Sequence, residues 1–166
     1  MTTPAFRFLE KPPSPAILDE IFDILAANMR VIAPTGLTYE EDKAAWMACV
    51  PPALEKEARQ VVLIYADGEL AGFFQYYVTE DHSVFMMEEF QLKAAYRGSG
   101  LFGDLYRFLL PRLPADIGAV EAYADKRNTK SRAILAHLGL AVIGENKNGK
   151  SYRLRGRFAD LKQKYS

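Results

Sequence analysis

The sequence predicts an α+β fold, in one domain spanning residues 1–166, around a mixed sheet. Three observations predict it. Two helices come early, the first marked by an apolar stripe and the second by a capping box. The middle of the chain alternates like an antiparallel meander with a tight Asp67-Gly68 turn. A glycine-rich loop then separates a strand from a helix, and more strands follow.

Phe6–Leu9 reads as a short first strand, and the prolines of Lys11–Pro15 break it. Ser14 followed by Pro15 reads as an N-cap with proline at the first helical position, where no N–H is needed. Ile17, Leu18, Ile21, Phe22, Ile24 and Leu25 recur at helical spacing and form one apolar face. Ala33–Gly36 ends that helix. Thr38 and Glu41 have capping-box spacing. They open a second helix through Trp46 and Cys49, expected to stop at Pro51-Pro52. Val61–Tyr65 and Ala71–Val78 read as strands of a hairpin, because Asp-Gly suits the positive φ angles of a type I′ turn. Val84–Leu92 is the third strand of the meander. Leu101, Phe102, Leu105, Tyr106, Phe108 and Leu109 form a helical stripe. Ile117–Ala124 is a strand. Asn128–Leu138 is a helix with Asn128 as its cap and Gly139 at its left-handed end. Leu140–Gly144 and Ser151–Arg155 are strands around an Asn148-Gly149 turn, and Phe158–Tyr165 reads as either a short closing helix or a frayed tail.

Composition narrows the function classes. Apolar residues are 49% and charged residues 25%, enough for a buried core. Lysine plus arginine and aspartate plus glutamate number 21 each, so no basic excess points to nucleic acid or membrane. Cys49 is the single cysteine, which favours a reducing, cytoplasmic setting over a disulfide framework. No apolar run approaches the ~20 residues of a membrane span, and the first residues lack the layout of a signal peptide. His82 and His137 lie far apart, so no metal-ligand cluster is expected. Cys49 reads as a small buried apolar group. Arg153 and Arg155 read as a solvated strand face.

The chemistry-bearing motif is Arg97-Gly98-Ser99-Gly100-Leu101-Phe102-Gly103. Glycines permit a tight turn and close approach to a ligand, and a helix start offers free N–H groups to phosphate. The letters also spell the dinucleotide fingerprint G-x-G-x-x-G, with Glu121 as the acidic partner. Context argues against it. Five residues, Lys93–Arg97, separate the strand from Gly98, a meander precedes the loop, and a hairpin rather than further βα units ends the chain.

The motif instead resembles the pyrophosphate loop of the GCN5-related N-acetyltransferases, Gln/Arg-x-x-Gly-x-Gly/Ala, with Phe102 at the last position. Glu88-Glu89-Phe90-Gln91-Leu92 upstream resembles the family's strand before that loop. Downstream, Asn128-x-x-Ser131 with Leu138-Gly139-Leu140 is similar to its Asn-x-x-Ala…Leu-Gly-Phe segment. The resemblance covers roughly Val61 to Arg155. It implies a mostly antiparallel central sheet whose fourth and fifth strands splay, with helices on both faces. It implies acetyl-CoA as acyl donor. Arg97, Gly98, Ser99, Gly100, Leu101, Phe102 and Gly103 would hold the pyrophosphate. The main chain of Phe90, Gln91 and Leu92 would pair with the pantetheine arm, with Asn128 and Ser131 nearby. The acceptor would be an amine of a small molecule or peptide, in a homodimer. The early helices would cover the acceptor side.

An alkylammonium, with pKa near ~10.4, must lose a proton before it attacks a thioester. Glu88, then Glu89, are the candidate bases, and alternation would send them to opposite faces of the sheet. Glu121 and Tyr123 stand behind them. The tyrosine that protonates the leaving thiolate in this family falls here at Leu135, so Tyr123, Tyr96, Tyr152 or water must serve. A non-catalytic acyl-CoA-binding module and an NAD-dependent oxidoreductase remain the alternatives.

Overall fold

The computed structural model describes residues 3–56 and 58–166; Met1 and Thr2, at the start of the stretch weighed as a signal peptide, lie outside them. Fourteen elements follow in the order β1 (Ala5–Phe8), α1 (Pro15–Ile32), α2 (Tyr39–Lys56), β2 (Gln60–Ala66), β3 (Glu69–Val78), β4 (Val84–Leu92), a 3₁₀ turn (Ala94–Tyr96), α3 (Leu101–Leu109), a second 3₁₀ turn (Leu110–Arg112), β5 (Ala119–Asp125), α4 (Thr129–His137), β6 (Ala141–Glu145), β7 (Ser151–Arg157) and α5 (Phe158–Lys164). The strands hydrogen-bond in the order β1-β2-β3-β4-β5-β7-β6. β4 and β5 run parallel, whereas β1–β2, β5–β7 and β6–β7 are antiparallel. The fold is therefore the mixed, mostly antiparallel sheet expected from the sequence.

The backbone forms two compact units. The first takes the chain up to Gln75 and Glu89–Leu101; the second takes Tyr76–Glu88 and Phe102–Ser166. In the first unit, Ser14 caps α1 by accepting the Ile17 N–H at 3.3 Å, and Pro15 occupies the first turn. Ile21 and Ile24 of α1 and Leu54 of α2 are buried with Val61, Leu63 and Phe73. That burial explains why α2 runs through Pro51-Pro52 to Lys56 instead of stopping: packing of Val50 and Leu54 on the core outweighs the lost helix bonds. Trp46, Val50 and Leu54, at four-residue steps, are the core-facing stripe of α2. Cys49 lies off it and is exposed, contrary to its reading as a buried group. The Asp67-Gly68 turn has φ of 53° and 79°, as a type I′ hairpin requires.

In the second unit, Phe85 packs edge-on against Phe158 of α5 at 5.9 Å, and the buried Tyr106 hydroxyl of α3 donates to the Met87 sulfur at 3.1 Å. The Phe158–Lys164 helix is thus anchored by its first residue. β4 pairs with β5 in register from Val84↔Ala119 to Met87↔Ala122, whereas β5 keeps pairing with β7 as far as Asp125↔Ser151. The registered β4–β5 ladder ends just before Glu88, which is the expected splay.

Candidate active site

Tyr76 packs edge-on against Phe85 at 5.5 Å, and Phe74 against Phe90 at 5.7 Å. Glu88 and Glu89 lie between Met87 and Phe90 on β4. Gly72 on β3 shows how closely β4 approaches beyond Phe90: a Cβ there would lie 2.2 Å from the Gln91 carbonyl oxygen. Only glycine permits that approach.

In the first unit, a chain of polar contacts joins the end of β4 to the glycine loop. Gln91 Nε2 donates to Glu89 Oε2 at 2.8 Å. Asn28, in the last turns of α1 and only 6% exposed, donates from Nδ2 to Gln91 Oε1 at 2.9 Å and to the Leu92 carbonyl at 2.9 Å. Its Oδ1 accepts a hydrogen bond from the Arg97 guanidinium. Nothing in the sequence singles Asn28 out, because an amide inside an apolar helix carries no motif. Beyond Arg97, Gly98 and Gly100 take φ of 75° and 84°, and Ser99 donates its hydroxyl to the Tyr96 carbonyl. The loop from Arg97 to Gly100 is exposed and runs directly into α3. A backbone with two left-handed glycines, an arginine before it and a helix start after it suits a diphosphate, because no Cβ obstructs a ligand at either glycine. Tyr96 is already engaged. Its hydroxyl donates to Glu69 at 2.8 Å, and that bond raises its pKa to about 12.

A cavity of about 440 Å³ also lies in this unit, against α1, α2 and the turn that joins them. Phe22, Met29, Leu37, Tyr39 and Trp46 line it, and Asp42 supplies a carboxylate. That volume falls within the range of small-ligand sites, roughly 300–1,000 Å³. Phe22 holds Tyr39 and Trp46 by ring contacts at 5.4 and 5.6 Å, so the aromatic wall is fixed.

In the second unit, Glu121 is 2% exposed and accepts from Arg153 Nε at 2.6 Å and from Arg155 Nη1 at 2.9 Å. The hydrogen bond to Glu121 holds Arg153 above its usual pKa range. The two arginines are therefore not merely a solvated face. They occupy both carboxylate oxygens of Glu121 and leave it poorly suited to take a substrate proton. Tyr123, two residues along, is 46% exposed. Phe102 packs edge-on against Tyr106 at 4.8 Å, so its side chain turns inward and leaves only its amide for a ligand. Asn128 caps α4 by accepting the Ser131 N–H at 3.0 Å, which brings those two residues together. Leu135 is buried, and Tyr152 lies beneath Lys126 and Arg132 at 5.0 and 4.9 Å. His82 sits in a left-handed turn, with Nδ1 3.2 Å from Asp116. Among the described residues no three His, Cys, Asp or Glu side chains converge as metal ligands, and no helix is long and apolar enough to cross a membrane.

The chain is similar in fold to several solved acetyltransferases. An acetyltransferase from Thermus thermophilus superposes with a TM-score of 0.70 at 14% identity, covering 95% of this chain and 99% of that one. The aminoglycoside acetyltransferase AAC(6′)-Ib, in complex with coenzyme A, gives 0.69 at 17% identity, with 99% and 100% covered. Spermidine N-acetyltransferase from Vibrio cholerae, in complex with CoA and spermine, gives 0.64 at 13% identity, with 95% and 97% covered. Among curated protein sequences there is no match. The model of the acetyltransferase (GNAT) family matches residues 18–140, well over half of the sequence and running from within α1 through the glycine loop to α4, so the chain belongs to that family.

Proposed function

We propose that this chain, acting as one catalytic domain, transfers the acetyl group of acetyl-CoA to a primary amine by direct attack within a ternary complex. The observation that carries the reading is the exposed loop Arg97–Gly100, with its two left-handed glycines, opening onto α3. Arg97 and the amides of Gly98, Ser99, Gly100, Leu101, Phe102 and Gly103 hold the pyrophosphate. The main chain of Phe90, Gln91 and Leu92 lies along the pantetheine arm, with Asn128 and Ser131 beside the cofactor. Bound acetyl-CoA supplies an activated thioester. The protein aligns it, polarises its carbonyl through a β4 amide, and removes a proton from the incoming ammonium.

Glu88 is the base in this reading, with Glu89 second. Glu88 follows the last registered β4–β5 pair, and Glu121 has both of its oxygens held by arginines. Tyr123 is the tyrosine best able to return a proton to the thiolate, since Tyr96 is tied to Glu69 and Leu135 cannot donate. A free thiol titrates near ~8.5, so water can also serve. The acceptor is a small molecule or peptide whose apolar body rests in the α1–α2 cavity. The fold relatives crystallised with spermine and with kanamycin support an amine acceptor. Homodimer formation and a cytoplasmic location complete the reading, on the family resemblance and the single cysteine.

The test is free-thiol release from acetyl-CoA across a panel of small amines and peptides. Wild type releases thiol with at least one acceptor. Glu88→Gln loses about 10²–10³ in kcat while CoA affinity is unchanged. Tight CoA binding without thiol release for any amine supports the binding module instead. Titration by NADH in preference to CoA supports the oxidoreductase.

A further inference from the structure

We infer that Asn28 is a positioning residue for the diphosphate of the donor, acting through Arg97; the inference rests on the proposed acetyl-CoA reading. Its side chain makes three hydrogen bonds, and the chemistry of the partners fixes its orientation. The Leu92 carbonyl can only accept and the Arg97 guanidinium can only donate, so Nδ2 must face the strand and Oδ1 the arginine. With Gln91 Oε1 on the second amide hydrogen, both N–H donors and the acceptor of Asn28 are used. No other side chain of this size offers two donors and an acceptor. Aspartate cannot donate to Leu92, leucine can do neither, and glutamine would be one methylene too long.

An exposed arginine at the head of a glycine loop samples many rotamers, and ordering it on binding costs affinity. Asn28 removes part of that cost. It is 6% exposed and set in α1, whose neighbouring residues Ile21 and Ile24 belong to the core. It therefore anchors the guanidinium to a helix packed on the core of the first unit, with donor N–H groups left for the diphosphate. The same amide fixes the Leu92 carbonyl, so the strand end and the loop arginine are held from one point. A neutral anchor matters: it orients Arg97 without neutralising it, as a carboxylate would.

The experiment compares two donors, acetyl-CoA and S-acetylpantetheine, which lacks the diphosphate. For Asn28→Ala, we expect kcat/KM with acetyl-CoA to fall about tenfold, mostly in KM, and to stay within about twofold with S-acetylpantetheine. Arg97→Ala should show the same donor selectivity. Asn28→Ala added to Arg97→Ala should weaken CoA binding little further, because both act on one contact. Asn28→Asp keeps the size and the bond to Arg97 but neutralises the guanidinium. It should also weaken CoA, which keeps the test valid if the alanine variant folds poorly. Equal losses with both donors, or additive losses in the double variant, would overturn the role and leave Asn28 as ordinary packing. Failure of the wild type to bind CoA would instead overturn the acetyl-CoA reading.

Discussion

Among the described residues, Asn28 and Glu121 are the buried polar ones, and they do opposite work. Each is almost fully enclosed, and each meets arginine. Asn28 is neutral and orients a charge that remains available in the exposed loop. Glu121 is held on both oxygens, so its carboxylate is engaged in joining β5 to β7. A carboxylate near a candidate site suggests a base, and an asparagine in a helix suggests nothing. The partners reverse that ranking. What a polar side chain can do is set by which of its lone pairs and protons are already spent.

The largest effect expected from breaking this contrast is at Gly72, which lets β4 close over β3 at the Asn28 end. An added Cβ would sit 2.2 Å from a backbone oxygen, which cannot rotate away. Gly72→Ala should cost about 3 kcal/mol and lower the melting temperature by about 10 °C, with CoA affinity falling as the strand end shifts. Thermal melts with and without CoA check this. A second, smaller loss is expected at the other region. Glu121→Gln leaves two guanidiniums without a charged partner, but they are 41% and 46% exposed and can turn to water. The cost should be about 2 kcal/mol, below the roughly 3–5 typical of a broken fully buried pair. CoA affinity by calorimetry should be unchanged; a large loss of CoA binding would mean that Glu121 serves the site after all.

The smallest effect is expected at high pH and in both units. Tyr96 in the first unit is raised to about 12 by its bond to Glu69, and Tyr76 in the second to about 12 by burial. Both fold with the phenol protonated, against an ordinary value near 10 in the unfolded chain. Their contribution is complete below pH about 10 and is lost as pH rises through about 12. Melting temperatures should therefore fall over that window. Tyr76→Phe and Tyr96→Phe should each flatten the slope, and tyrosinate absorbance should rise in step with it.

The glycine loop, the Ser14 and Asn128 caps and the Asp67-Gly68 hairpin were legible in the sequence because each depends on residues within a few positions. Caps and left-handed turns are local chemistry. The features that were not legible are long-range. The continuation of α2 through Pro51-Pro52 depends on Leu54 reaching a core built from distant strands. The roles of Asn28 and of the Arg153–Glu121–Arg155 group depend on partners 69 and 32 residues away. Glu88 and Glu89 were nominated in that order from the sequence alone, by their place at the end of an apolar strand just before the glycine loop.

The central claim is that backbone amides from Arg97 to Gly103 grip a diphosphate, and hydrogen exchange read at those amides tests it most directly. Added CoA should slow exchange there by tenfold or more, since ligand binding suppresses local opening. S-acetylpantetheine should leave the same amides unchanged. CoA that binds, by calorimetry, without slowing any amide between Arg97 and Gly103 would contradict the account.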